Sequence, residues 1–115
     1  MPEELQKLLT FEIERDGDTA VVKCHGRFVA GTTEELYQEV KHLLPQLKSV
    51  VIDLADLTYV DSMGLGALVR LYAAARHVGC EFKLLHLGKQ LRNLLKMTNL
   101  LSVLGQAEDH GINVA

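Results

Sequence analysis

Val50-Val-Ile-Asp-Leu54 is a nearly unbroken run of β-branched and aliphatic side chains, the pattern of a strand covered on both faces. Such strands belong to parallel sheets, whose neighbours are reached by helical crossovers. The flanking sequence supplies the crossovers. Upstream, Thr32 and Thr33 are candidate caps, Glu34 and Glu35 suit a first helical turn, and Leu36, Val40, Leu43 and Leu44 recur at helical spacing until Pro45. Downstream, residues 55–60 read as a connecting segment and the spacing predicts a helix over about 63–78, closed by Gly79 where a left-handed residue is favoured. A strand over 81–87 and a helix over 89–97 follow. The apolar turn Leu100-Leu-Ser-Val-Leu104 then opens a Gly-rich, acidic tail expected to fray.

Ahead of this alternation, residues 11–15 and 19–25 are short Ile-, Val- and Phe-containing runs on either side of Asp16-Gly17-Asp18. An Asp-Gly step between such runs favours a tight hairpin turn. The expected fold class is therefore α/β: a mixed four-stranded sheet that opens with an antiparallel hairpin, flanked by about four helices. With 115 residues there is room for one domain, read as 1–115 with its core over about 11–104.

Composition narrows the function classes. Hydrophobic residues make up 48% and charged residues 23%, which is enough apolar material for a packed core and argues against disorder. The net charge is −3, with Lys and Arg scattered among Asp and Glu, so no basic stripe suits nucleic acid. Met1-Pro-Glu-Glu-Leu-Gln-Lys7 lacks the basic-then-apolar order of a secretory signal, and no later run is apolar enough to span a membrane. A cytoplasmic protein without a membrane partner is expected. Cys24 and Cys80 read as core or near-surface thiols, and Cys24-His25 reads as two strand neighbours facing opposite ways. Neither a metal site nor a cofactor site is expected, since CxxC, HExxH and a second ligand cluster are missing.

The informative stretch is Val60-Asp61-Ser62-Met63-Gly64-Leu65-Gly66-Ala67-Leu68-Val69-Arg70. Leu65, Leu68, Val69 and Tyr72 fall at i, i+3, i+4 and i+7 and are expected to pack on the sheet. Met63, Gly66, Ala67, Arg70 and Ala74 are then expected to look outward. A glycine near a helix start costs up to about 1 kcal/mol relative to alanine, so Gly64 and Gly66 call for a packing or functional reason. Close approach of a partner is one. Ser62 or Asp61 can cap the helix by accepting a backbone N–H.

Asp61-Ser62-Met63-Gly64-Leu65-Gly66 after a strand ending in Asp53-Leu54 resembles the signature of the STAS family, the domain of anti-sigma factor antagonists. The likeness runs over about residues 11–104, with Gly26, Thr32, Glu35 and Leu36 also in place and 91–100 similar to the family's late helix and apolar turn. The sequence departs from the family in carrying Arg27 and Val29 where acidic residues are common. The resemblance implies a binding protein, not an enzyme. Its partners would be an anti-sigma factor with serine kinase activity and a phosphatase, and Ser62 its phosphorylation site. Asp61, Met63, Gly64, Gly66, Ala67 and Arg70 would form the partner-binding face, and a homodimer would be a further use of it.

Other readings remain open at this point. A catalytic Ser62 would lack the Gly-x-Ser-x-Gly elbow and has no histidine close in sequence among His25, His42, His77, His86 and His110. A nucleotide site at Gly64-Leu-Gly66 would lack the Lys and Ser/Thr spacing of a P-loop. A STAS scaffold or transporter-associated subunit that is never phosphorylated would share every motif.

Overall fold

The computed structural model describes residues 8–100. β1 (Leu9–Asp16) and β2 (Thr19–Phe28) form the expected antiparallel hairpin, turned at Gly17 with φ +65°. Helix α1 (Glu34–Leu43) runs into a single 3-10 turn, Leu44–Gln46, with Pro45 at its start. There follow β3 (Ser49–Val60), α2 (Ser62–His77), β4 (Glu81–Leu85) and α3 (Lys89–Met97). The sheet order is β1-β2-β3-β4, with β2-β3 and β3-β4 parallel. Among the described residues there are three α-helices and the 3-10 turn where about four helices were expected. The expected apolar turn beyond Leu100, and the tail expected to fray, lie outside the described residues.

Register shows which face of the sheet carries the core. Ala20, Val50 and Phe82 stand abreast, as do Val22, Ile52 and Leu84, and all six are buried. Phe11 and Ile13 of β1 lie opposite Cys24 and Val22 and pack against the same cluster. Leu36, Val40, Leu68 and Leu71 from α1 and α2, with Leu91 and Leu95 from α3, complete it. On the opposite face Val21, Lys23, Val51, Asp53 and Lys83 are only half-buried. The expectation that β3 is covered on both faces does not hold among the described residues. Val51 is half-covered by its cross-strand neighbours Val21 and Lys83, and its β-branched character serves the pleated backbone.

β3 is also longer than expected, because 55–60 continues the strand. Register shifts between Lys23 and His25 and between Gly26 and Arg27 let it keep pairing with β2 as far as Phe28 opposite Val60. The Thr58 hydroxyl adds a bond to the Gly26 carbonyl at 3.1 Å. Such bulges scramble the period-2 signal, which is why this part looked like a loop. β4 stops at Leu85, two residues short of expectation, where His86 takes φ +62°. Gly26 has φ +108°, and a Cβ there would collide with the Leu8 carbonyl, which accepts the Arg27 N–H at 2.8 Å.

Candidate functional site

The ends of β2 and β3 position the start of α2. Val60 is buried, and the chain then turns outward through Asp61 at φ −110°, ψ −176°. Asp61 is bonded on every side. Its N–H donates to the Phe28 carbonyl at 3.2 Å, its carbonyl accepts the Leu65 N–H at 2.9 Å, and its Oδ1 accepts the Gly64 N–H at 2.9 Å. Oδ2 lies 3.5 Å from the Ala30 N–H. Asp61 is thus the N-cap, and its negative charge sits where the helix dipole favours an anion.

Ser62 is the first helical residue, exposed, and its hydroxyl makes no hydrogen bond to another described residue. Because Asp61 has taken the capping role, the Ser62 oxygen is left facing solvent. Met63 beside it is 63% exposed.

The helix orientation differs from expectation in two places. Gly64 is buried, and a Cβ on it would strike the Phe28 carbonyl oxygen, so α2 rests directly on the end of β2. Its side-chain deletion answers to packing inside the domain. Ala67, expected to face outward, is 3% exposed. α2 packs on the sheet and against α1, so its buried arc is wider than one stripe and takes in Leu71 and Ala75, while Val69, Tyr72 and Ala74 are half-buried. Gly66 has nothing within 4 Å of where its Cβ would be, so the domain itself has no steric need for glycine there.

Ser62, Met63, Gly66, Ala67 and Arg70 line one side of a groove of about 420 Å³ whose other side is Ala30, Gly31, Thr33 and Glu34. Arg70 does not point freely outward. Its guanidinium lies 3.9 Å from the centre of the Tyr37 ring and pairs with Glu34 at 3.5 Å, tying α2 to α1 across the groove. Of the two candidate caps of α1, Thr33 occupies the N-cap position but its side chain makes no capping bond. Thr32 instead fastens the preceding loop: its hydroxyl donates to the Arg27 or Val29 carbonyl, each at 2.9 Å, and accepts the Val29 N–H at 3.1 Å. Arg27 stacks over Tyr59, its guanidinium 5.5 Å from the ring centre. The sequence reading missed Tyr37 and Glu34 as members of the site. Their i and i+3 placement on α1 was the available signal.

Other reactive groups are engaged elsewhere. His25 Nδ1 is 2.9 Å from Asp56, and His86 Nδ1 is 2.9 Å from Asp53. Burial alone would push the Asp53 carboxyl up, but the hydrogen bonds from His86 and the Ala55 N–H, with the nearby Lys23 charge, hold it below its ordinary value. Burial, with the Asp53 charge second, pushes the Cys24 thiol up to about 12, and burial likewise raises Cys80. Among the described residues no cluster of His, Cys, Asp and Glu could hold a metal ion, and no helix is long and apolar enough to cross a membrane.

A mixed sheet with an exposed serine one residue past a capping aspartate places the chain in a known class: residues 11–106 match the family model described as "Mlab, STAS domain". The chain belongs to the STAS domain family. A STAS-domain containing protein of Pseudomonas aeruginosa (strain UCBPP-PA14) is 26% identical over 84 residues, which is 73% of this chain and 83% of the relative. Among solved structures, an anti-sigma factor antagonist from Mycobacterium paratuberculosis has a TM-score of 0.69 at 23% identity, covering 83% of this chain and 81% of that one. The unphosphorylated form of the anti-sigma factor antagonist SpoIIAA has a TM-score of 0.70 at 17% identity, covering 79% and 82%. The murine anion transporter Slc26a9 contains a similar unit, with a TM-score of 0.65 at 17% identity over 77% of this chain and 15% of the transporter. At these identities the structures establish a shared fold.

Proposed function

We propose that this chain is a regulator that binds an anti-sigma factor with serine kinase activity, so freeing a sigma factor, and that phosphorylation of Ser62 by that partner ends the binding. The observation that carries the reading is the Ser62 hydroxyl, exposed and unbonded to any described residue at the first position of α2, on the rim of a groove. A phosphate there adds about 1.5 to 2 negative charges where helix N–H groups tolerate an anion, so the fold stays intact. The same charge beside Asp61 opposes docking by repulsion and by the desolvation that docking imposes. A phosphatase restores the unmodified face. Met63, Gly66 and Arg70 are the contact residues in this reading, with Ala67 in the groove wall. Gly64 is a support beneath them. The action is binding and needs no catalysis by this chain, and its STAS domain exerts it in the cytoplasm, alone or as a homodimer.

Intact mass measurement on protein from the native host tests it. Wild type is expected to carry one phosphate and Ser62→Ala none, and an unmodified wild type under all growth conditions would sink the reading. Ser62→Asp is expected to weaken capture of the kinase while leaving the melting temperature near wild type.

A second reading, a transporter-associated STAS subunit that is not phosphorylated, is supported by the likeness to the Slc26a9 unit. Affinity capture from the host separates the two. A kinase-like anti-sigma factor supports the first, and a transporter ATPase the second.

A further inference from the structure

We infer that the cleft between α1 and the C-terminal half of α2 is a binding site for a small amphiphilic carboxylate, an unbranched fatty-acid anion. Its volume is about 460 Å³, within the range of small-molecule sites. Its walls are the Tyr37 ring, Leu44, Pro45, Ala73, Ala74 and Val78. The two alanines open a recess between larger neighbours, and Val78 is left 42% exposed at its end. An aliphatic chain lying there removes apolar surface from water on both sides.

The charge of the lining is one-sided. Besides the apolar walls it holds Lys41, Arg70 and His77, and no Asp or Glu. Lys41 and Arg70 both lie against the Tyr37 ring, at 5.6 and 3.9 Å from its centre, which keeps two cations near the same stretch of the cleft. Among the described residues Arg70 has a single carboxylate partner, Glu34, at 3.5 Å with both side chains more than half exposed. That pairing leaves guanidinium N–H groups for a second carboxylate, which Arg binds in a forked geometry. A ligand with one anionic head and an apolar body fits. A partner helix fits less well, because the apolar strip is flanked on α1 and α2 by the exposed polar residues Gln38, His42 and Arg76.

Titration of the labelled full-length chain with octanoate, followed by amide NMR, tests the site, with 1-octanol and octylammonium as controls. Octanoate is expected to give saturable shifts centred on Ala73, Ala74 and Val78, with both controls weaker by about tenfold or more, as loss of a charge-assisted hydrogen bond implies. Arg70→Gln should weaken octanoate binding. Glu34→Gln, which removes the competing carboxylate, should strengthen it, an outcome that a merely damaged fold does not produce. Ala73→Phe, at an exposed position, should fill the cleft and abolish the shifts while the rest of the spectrum is unchanged. Absence of shifts in the cleft, octanol binding as tightly as octanoate, or an acidic amphipathic peptide displacing octanoate at lower concentration would each overturn the assignment.

Discussion

Gly64 and Gly66 are two residues apart on one helix and answer to different demands. A side chain at position 64 meets the Phe28 carbonyl, whereas position 66 is open. Gly64→Ala is expected to cost about 1–3 kcal/mol or more, because backbone has to move to admit the methyl group. Gly66→Ala is expected to stabilise the fold by up to about 1 kcal/mol through helix propensity, while weakening partner capture if the groove is used as proposed. Urea unfolding and affinity capture of both variants check this pair. From sequence the two glycines were indistinguishable, since only the folded crossing of α2 over β2 separates them. Cys24 offers a pH test. Its folded-state pKa is raised from 9.0 to about 12, so the stabilisation from keeping the thiol neutral is complete below pH 9 and declines as pH rises towards 12. Wild type should lose stability above pH 9 more steeply than Cys24→Ala, by up to about 1.4 kcal/mol per pH unit, measured by urea unfolding at stepped pH.

At the scale of elements, the helices were legible almost to the residue. The helix expected over 63–78 is observed as Ser62–His77 with Gly79 at φ +76°, and the one expected over 89–97 as Lys89–Met97. Helical periodicity survives because each helix buries one arc against a common core. The second half of β3 was illegible because bulges break the alternation that marks a strand. Its last amide is held by an element far along the chain: the buried Val60 N–H donates to the Gln90 side-chain oxygen at 3.1 Å, linking the end of β3 that precedes Ser62 to the first turn of α3. Gln90→Ala should cost about 1–2 kcal/mol by orphaning that donor. Hydrogen exchange should quicken at Val60 and across α3, leaving Ile52 protected.

For the molecule as a whole, sequence order was enough to foresee a hairpin followed by two crossovers, and the structure adds the sheet order β1-β2-β3-β4. What could not be foreseen is how the site is shared between segments. Asp61 meets Phe28 through a backbone bond that leaves no mark on residue type, and its side chain faces the Ala30 N–H from a distant segment. The Arg70–Tyr37–Glu34 tie depends on how closely α1 and α2 approach. One feature of that assembly limits how a signal can be read out. With no side chain between the first turn of α2 and the carbonyl beneath it, the turn stands like a post on bedrock, and a new group on Ser62 has no slack to pull on. Coordinates of the phosphorylated chain should superimpose on those of the unmodified one through β2 and α2. The message would then lie in what an approaching protein feels at the surface, and its strength should fall as salt is added.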